Sequence, residues 1–381
     1  MSDKQLVVIT VNYLGEPMDS YIRELLTMFF SNFEKPYSDF RNLCHNELKE
    51  NINTYFDGRK GSYSEQDFLF NILTIISNYY CSFWRFTEAQ QFWQDILDIV
   101  VEWEQTNKIR IHKGSIFYFW SQVAILQGQF EKGFFLIHSS YEEDVLTHGN
   151  KLPGTPAFKT VSLDYSDKKN LLYGLVIEWA KDLEKFIDQY CNITGRTFSK
   201  DEFQAKFLNA PPSMDTLFLF TYILAKFFDF DRMPPMLSRG TFTSLYELNS
   251  IFDLALIIDN VIYSSLSKPD DNDWKFIKLA NHLLIQSGLA TDSKININHL
   301  VETLKGSEKD FEKTIQKLLD QQYIYSNHVS PTRIECDIAL SYCLRNYSAH
   351  KIGSFAIIRD RFNEIRQSIF NVLFLAVQTL Y

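Results

Sequence analysis

The chain has 381 residues, of which 45% are hydrophobic and 15% aromatic, so it can bury a large core and does not have the composition of a disordered protein. Its formal net charge is −9, which excludes binding to nucleic acid through overall electrostatic attraction and requires any such site to be local. The five cysteines form no CxxC pair, and their odd number argues against a complete disulfide framework.

We expect a cytoplasmic protein that does not associate with a membrane. The first residues, MSDKQLVVITVNYLG, lack the pattern of a secretory signal. The most apolar later runs, LFLFTYILAKFF and IFNVLFLAV, are shorter than the roughly 18 to 20 residues that a membrane span needs.

The spacing of apolar residues predicts helices along nearly the whole chain. Apolar side chains recur every three or four positions in segments such as YIRELLTMFFSNF and FWQDILDIVVEWEQ, and the alternation of a strand is found only in LVVITVNY. The predicted fold class is therefore all-α, with one short strand at the start. Breaks rich in Pro and Gly at 150–158 and 232–240 favour domain boundaries. We place the boundary near the second break, between regions 1–235 and 236–381.

Residues 115–145 have the pattern of two helices joined by a tight turn. Gly128 stands at the turn and Phe130 follows it, while Gly133 and Ser140 are small residues where paired helices must approach closely. This pattern resembles a tetratricopeptide repeat. The resemblance implies that the N-terminal region is a helical-repeat-like array that binds a peptide, a protein or a small ligand.

Residues 82–97 resemble half of an earlier unit, with Phe86 and Ala89 in the places of Phe130 and Gly133. Ala89 and Gly133 are 44 residues apart, about ten more than the usual period of the family, so we expect an insertion near EQTNKIRIHKG. Paired helices of a generic kind are the alternative. The many aromatic residues of this region have helical spacing and no interleaved Lys or Arg, which favours a core over a base-stacking surface.

From about residue 240 successive amphipathic segments predict an up-and-down helical bundle with an inserted hairpin. Arg345, Asn346 and His350 occupy a short polar break before the last helix. Residues five apart on an unbroken helix point about 140° away from each other. Since a Gly-Ser pair follows and Ser354 suits a helix N-cap, we expect a bend within 346–353 that turns His350 back toward Arg345.

The segment RNYSAH, residues 345–350, resembles the R-polar-x-x-x-H signature of the HEPN superfamily (higher eukaryotes and prokaryotes nucleotide-binding), whose members are all-helical. The resemblance implies a C-terminal HEPN-like bundle and a metal-independent endoribonuclease that needs no cofactor and cleaves RNA to a 2′,3′-cyclic phosphate. It further implies a homodimer in which two copies of the motif face one cleft. A toxin or antiviral defence system is the biological setting that it suggests.

The residue types suit this chemistry. Arg345 would stabilise the phosphate and the transition state, because a guanidinium is a planar, permanently charged donor. His350 would act as general acid or base, since an imidazole titrates near neutral pH. Asn346 would orient the histidine or the phosphate, and Tyr347 and Lys351 would contact the RNA. Residues 331–381 carry six Lys or Arg against four Asp or Glu, which concentrates positive charge near this motif.

Other interpretations stay open. Arg345 could cap the carbonyls at the end of the preceding helix, with His350 as an exposed turn residue. The HEPN-like bundle could also be non-catalytic, as a nucleotide-binding or dimerisation module of a helical-repeat scaffold. No metal site is predicted, because His112, His138 and His148 are scattered and no HExxH motif occurs.

Overall fold

In the computed structural model the described residues are 26–27, 29–32, 34–58, 63–149, 154–164, 166, 171–232, 241–267, 275–289, 311–322, 330–350 and 356–381. Every regular element among them is a helix and none is a strand, which confirms the all-α fold class. The short strand expected at the start lies outside these residues. None of the described helices combines the length and the apolar character that crossing a membrane requires.

The first of two compact units ends at Phe158 and the second begins at Lys159. The first unit contains α1 (Tyr37–Gly58), α2 (Tyr63–Ser82), α3 (Phe86–Asn107), α4 (Gly114–Leu126) and α5 (Phe130–His148), and α6 (Pro156–Val161) spans the division. Helix α3 packs against α1, α2 and α4, and α4 packs against α5. Many of the aromatic residues of this region lie in the core, with Phe92 and Trp93 fully buried, whereas Phe83 and Trp84 are exposed.

The turn between α4 and α5 has the geometry that the sequence predicted. Gly128 has a φ of 83°, a left-handed conformation that glycine adopts without steric penalty. Its N–H donates to the carbonyl of Ile125, and the N–H of Gln129 donates to the carbonyl of Ala124, both at 2.9 Å. These bonds close α4 and allow α5 to run back along it.

The turn between α2 and α3 repeats this geometry with a different residue. Trp84 takes the place of Gly128, with a φ of 60°. Its N–H donates to the carbonyl of Cys81 and the N–H of Arg85 to that of Tyr80, both at 3.0 Å. The 22-residue helix α3 and the connector that follows it lie between the two turns.

The second unit contains α7 (Tyr173–Thr194), α8 (Lys200–Phe203) with a following π-helix (Gln204–Leu208), α9 (Met214–Asp231), α10 (Thr241–Ser264), α11 (Phe276–Gln286), α12 (Phe311–Leu319), α13 (Arg333–His350), α14 (Ala356–Asp360) and α15 (Phe362–Leu380). Helix α15 packs against α7, α10, α11 and α13. Every residue from 365 to 377 is buried, so α15 is the core of the unit. Most of the inserted hairpin expected in this region lies outside the described residues.

The division at Phe158 differs from the boundary expected near residue 235. Helix α7 packs against α15, and α9 packs against α10, so helices from both sides of residue 235 share one core. The ring of Phe186 on α7 stacks on that of Phe370 on α15, with centroids 4.3 Å apart. The chain therefore divides at the first Pro- and Gly-rich break, 150–158, and not at the second.

A chain of polar groups, buried except for the half-buried Arg333, fixes α15 against its neighbours. Arg333 Nε lies 2.9 Å from Asp337 Oδ1, and Asn371 Nδ2 donates to Asp337 Oδ2 at 2.8 Å. Gln367 Nε2 in turn donates to Asn371 Oδ1 at 2.8 Å and to the carbonyl of Phe186 at 3.0 Å. Since buried polar groups need partners, these contacts set the register of α13 and α7 on α15.

Gly133 provides a test of the close helix pair α4–α5. A Cβ at this position would overlap the side chain of Ile125, whereas one at Gly174, near the start of α7, would have no atom within 4 Å. We expect Gly133→Ala to lower the free energy of unfolding of the first unit by about 1–3 kcal/mol, since overpacking outweighs the better helix propensity of alanine. The control Gly174→Ala should be neutral or stabilising. Urea denaturation followed by circular dichroism measures both, and equal effects would contradict the close approach.

Candidate functional site

Helix α13 carries the predicted motif and is unbroken from Arg333 to His350. It begins with a capping box, in which the N–H of Thr332 donates to Glu335 Oε2 at 2.6 Å and the N–H of Glu335 to Thr332 Oγ1 at 3.4 Å. The expected bend is therefore absent from 346–350, a stretch without Gly or Pro that is compatible with a helix. Residues 351–355 lie outside the described part of the chain.

Arg345 lies on α13 and forms an ion pair with Asp259 on α10. Its Nη2 is 3.0 Å from Asp259 Oδ2, and the side chains are 29% and 5% exposed respectively. Burial raises the pKa of Asp259 to about 6, and the nearby charge of Arg345 opposes that rise. The acid therefore holds the guanidinium in one orientation at the edge of the bundle.

Asn346 contacts the same guanidinium. Arg345 Nη1 donates to Asn346 Oδ1 at 3.4 Å, a long hydrogen bond that is weaker than the ion pair. Asp259 and Asn346 together engage two nitrogens of the guanidinium, whose five N–H donors leave others for a ligand.

The remaining motif residues are only partly described. The backbones of Tyr347 and His350 belong to α13, but their side chains lie outside the described part of the structure, as does all of Lys351. On the unbroken helix His350 leaves the axis about 140° around and about 7.5 Å along from Arg345. The helix backbone of one copy thus places positions 345 and 350 on different sides of α13.

The excess of positive charge in residues 331–381 does not form an unpaired basic patch among the described residues. Each of the five arginines has an acidic partner: Arg333 pairs with Asp337, Arg345 with Asp259, Arg359 with Asp360, Arg361 with Asp320 and Glu364, and Arg366 with Asp231. Three of these acids, Asp231, Asp259 and Asp320, lie outside residues 331–381. The count of charges within that segment missed them, because helix packing brings them close to its arginines.

Asp259 is the residue of this site that the sequence did not reveal. It lies within the apolar stretch IFDLALIIDNVIY of α10 and is 3% exposed. A buried carboxylate requires a cationic or hydrogen-bonding partner, so an acid among core residues indicates that such a partner exists. The sequence does not show which residue this is, because Arg345 lies 86 positions further along the chain.

Two histidines of the first unit, His112 and His148, are close together, and the sequence predicted no metal site there. His112 Nε2 lies 3.1 Å from Asp144 Oδ1 in the buried interior, and the rings of His112 and His148 are 6.2 Å apart. Among the described residues no group of three His, Cys, Asp or Glu side chains has the arrangement of a metal site.

The chain matches no known family model, no curated protein and no solved structure. The resemblance to HEPN proteins therefore rests on the residues of α13 alone.

Helix α10 also buries Glu247, which is 2% exposed. Its Oε2 has no hydrogen-bond partner within the described residues. Burial raises the pKa of Glu247 to about 8, although Arg359 and Arg366 act in the opposite direction. The folded chain therefore keeps a proton on this carboxyl at neutral pH.

The raised pKa of Glu247 predicts how stability depends on pH. Between the unfolded pKa of about 4.3 and the folded pKa of about 8, the unfolded chain binds fewer protons, so stability contributed by this group falls as pH rises. We expect Glu247→Gln to gain at least about 1 kcal/mol in unfolding free energy relative to wild type between pH 5 and pH 8.5. The exposed Glu364, paired with Arg361, supplies the control Glu364→Gln, which should show no such gain. Parallel curves for Glu247→Gln and wild type would contradict a buried, protonated acid.

Proposed function

We propose that the second unit is a metal-independent endoribonuclease of the HEPN type. The observation that carries the proposal is the partly exposed guanidinium of Arg345, held by the buried carboxylate of Asp259 at 3.0 Å. An arginine that is oriented before the ligand arrives loses less conformational freedom on binding a phosphate. Its remaining N–H donors suit the oxygens of a phosphodiester.

His350 removes the proton of the 2′-hydroxyl as its oxygen attacks the phosphorus, and Arg345 stabilises the charge that grows on the phosphate. The bond from phosphorus to the 5′-oxygen breaks, and the leaving oxygen takes a proton from the imidazolium so formed or from water. Asn346 keeps the guanidinium in place. The products are a 2′,3′-cyclic phosphate and a 5′-hydroxyl end. DNA lacks the internal nucleophile, so RNA is the substrate.

The geometry of α13 favours a site built from two copies. Because Arg345 and His350 of one copy leave the helix about 140° apart, a second copy related by a twofold axis can place its His350 opposite Arg345. Each dimer would then contain two composite sites in one cleft. The first unit would bind the peptide, protein or small ligand that controls the enzyme, and toxin or antiviral defence systems are the setting that suits such control.

RNA cleavage in the presence of EDTA tests the chemistry. Wild-type protein should cleave RNA to fragments with 2′,3′-cyclic phosphate ends, and His350→Ala should reduce the rate by at least about 100-fold, because general acid–base catalysis is lost. The matched control is His138→Ala, a partly exposed histidine of the first unit. Full activity of His350→Ala with an unchanged circular dichroism spectrum would refute the role of this histidine.

Mixing inactive variants tests the composite site. If Arg345 and His350 come from different copies, a heterodimer of Arg345→Ala and His350→Ala has one site with both residues intact. An equimolar mixture, exchanged to equilibrium, should recover about a quarter of the wild-type rate, since half of the dimers are mixed and each has one of two sites. No recovery, with mixed dimers demonstrated by native mass spectrometry, would place both residues of each site in the same copy.

A second candidate function is a non-catalytic scaffold that binds a nucleotide or dimerises through the second unit. The pairing of Arg345 with the buried Asp259 favours it, because removing the arginine would leave an uncompensated buried acid. Under this function the wild-type protein forms dimers and cleaves no RNA in any buffer. Arg345→Ala then changes stability alone.

A further inference from the structure

A pocket of about 270 Å³ lies in the first unit, where the first turns of α3 approach the turn between α4 and α5. We name it the glutamine pocket, and its lining includes Gln90, Gln91, Gln94, Gln127, Gln129 and Lys132. Amide side chains thus form most of its polar surface. Its volume is just below the range of about 300–1,000 Å³ that is usual for drug-sized ligands, so the pocket suits a small molecule.

Gln90 is the buried glutamine of this pocket, and its neighbours fix the orientation of its amide. The residue is 6% exposed. Its Oε1 accepts from Trp120 Nε1 at 3.2 Å and from Lys132 Nζ. Because an indole N–H and an ammonium can only donate, Oε1 faces these two groups and the NH₂ group faces the other way.

The amide of Gln90 in turn orients two further glutamines. Its Nε2 donates to Gln127 Oε1 and, at 3.1 Å, to Gln129 Oε1. Both of these amides therefore turn their acceptors toward Gln90 and their NH₂ groups away from it. Gln127 Nε2 donates to Thr87 Oγ1 at 3.2 Å, which leaves the hydroxyl hydrogen of Thr87 to donate. The NH₂ group of Gln129 is likewise left to donate.

Lys132 adds a positive charge to the same network. Its Nζ lies 4.9 Å from the centre of the Trp120 ring. Partial removal from water lowers the pKa of Lys132, and no acid in the described part of the chain raises it. An ammonium that is partly desolvated in this way, without an acid beside it, is stabilised by an anion.

The network thus presents three donors to the glutamine pocket, which are the ammonium of Lys132, the amide NH₂ of Gln129 and the hydroxyl of Thr87. All three residues are exposed, so a ligand in solution can reach them. The described lining includes no Asp or Glu. Three donors and one positive charge, with no acid among them, favour an anionic ligand.

We propose that the glutamine pocket binds the carboxylate group of a small organic acid. One carboxylate oxygen would accept from Lys132, and the other from Gln129 and Thr87. One lysine balances the single charge of a carboxylate, whereas a phosphate monoester carries about −1.5 to −2 charges at neutral pH and needs a further cation. Because the pocket is small, the source that we propose is a free acid and not the C-terminus of a peptide. The inference names a ligand class for the first unit and does not rest on the nuclease proposal.

Titration of the full-length chain with small acids tests the inference. Acetate, L-lactate, benzoate and N-acetylglycine are added separately in isothermal titration calorimetry, with saturation-transfer NMR as a second readout. We expect at least one acid to bind with a Kd below about 1 mM. Its carboxamide counterpart has a similar shape and no charge, and it should bind at least about tenfold more weakly.

Two variants at exposed positions locate the binding. Lys132→Gln removes the charge and should weaken binding at least about tenfold, since a charge-assisted hydrogen bond is lost. Gln129→Glu replaces the donor with an anion of the same shape and should weaken binding to a similar degree. The matched control is Lys108→Gln, which removes the same charge from an exposed position just beyond the end of α3 and should leave the affinity unchanged. Circular dichroism confirms that each variant is folded.

The inference is overturned by any of five results. No acid binds at about 10 mM. Lys132→Gln binds the acid as tightly as wild type does, or the carboxamide binds as tightly as the acid. Inorganic phosphate displaces the acid at an equal or lower concentration, or a peptide with a free C-terminus binds although no small acid does. Acid binding by a wild-type chain that cleaves no RNA supports this inference and refutes the nuclease proposal alone.

Discussion

The second unit depends on the burial of polar side chains in the middle of α15. Residues 365–377 are buried without interruption, and this run includes Arg366, Gln367 and Asn371. A helix that is enclosed on all sides must find a partner for each such group from its neighbours. Arg366 pairs with Asp231 at 3.0 Å on α9, while Gln367 and Asn371 bond to α7 and α13. Packing alone tolerates rotation or sliding of helices, but these directional bonds do not, so they define how α15 sits in the unit.

Helix α13 receives its position from two such bonds at different points along its length. Asp337 ties its first turns to α15, and Arg345 ties its later turns to Asp259 on α10. A helix held in this way is rigid, and it presents the guanidinium of Arg345 in a fixed direction. The two acids that provide the anchors are buried, so their pKa values are raised to about 6 in each case.

Local patterns of sequence predicted local structure well. Helical spacing indicated the all-α class, and Gly128 and Gly133 indicated the turn and the close approach between α4 and α5. Features that depend on distant residues were not readable in the same way. The Pro-rich break near residue 235 interrupts the chain but not the core, because α7 and α9 pack with helices beyond it. The ion pair of Arg345 also joins residues far apart in sequence. The bend expected within 346–353 rested on a Gly-Ser pair that lies beyond His350, and it is absent from 346–350.

The turn at Trp84, between α2 and α3, has the same backbone hydrogen bonds as the turn at Gly128, between α4 and α5, although the residue at its centre differs. A bulky side chain in the left-handed region costs about 1–2 kcal/mol, yet Trp84 reproduces the backbone of Gly128. Its side chain is 83% exposed, whereas those of Trp93 and Trp179 are fully buried. The indole of Trp84 is therefore within reach of aqueous quenchers such as iodide. Its fluorescence offers an optical probe of events at this turn, which quenching distinguishes from the fluorescence of the buried Trp93 and Trp179.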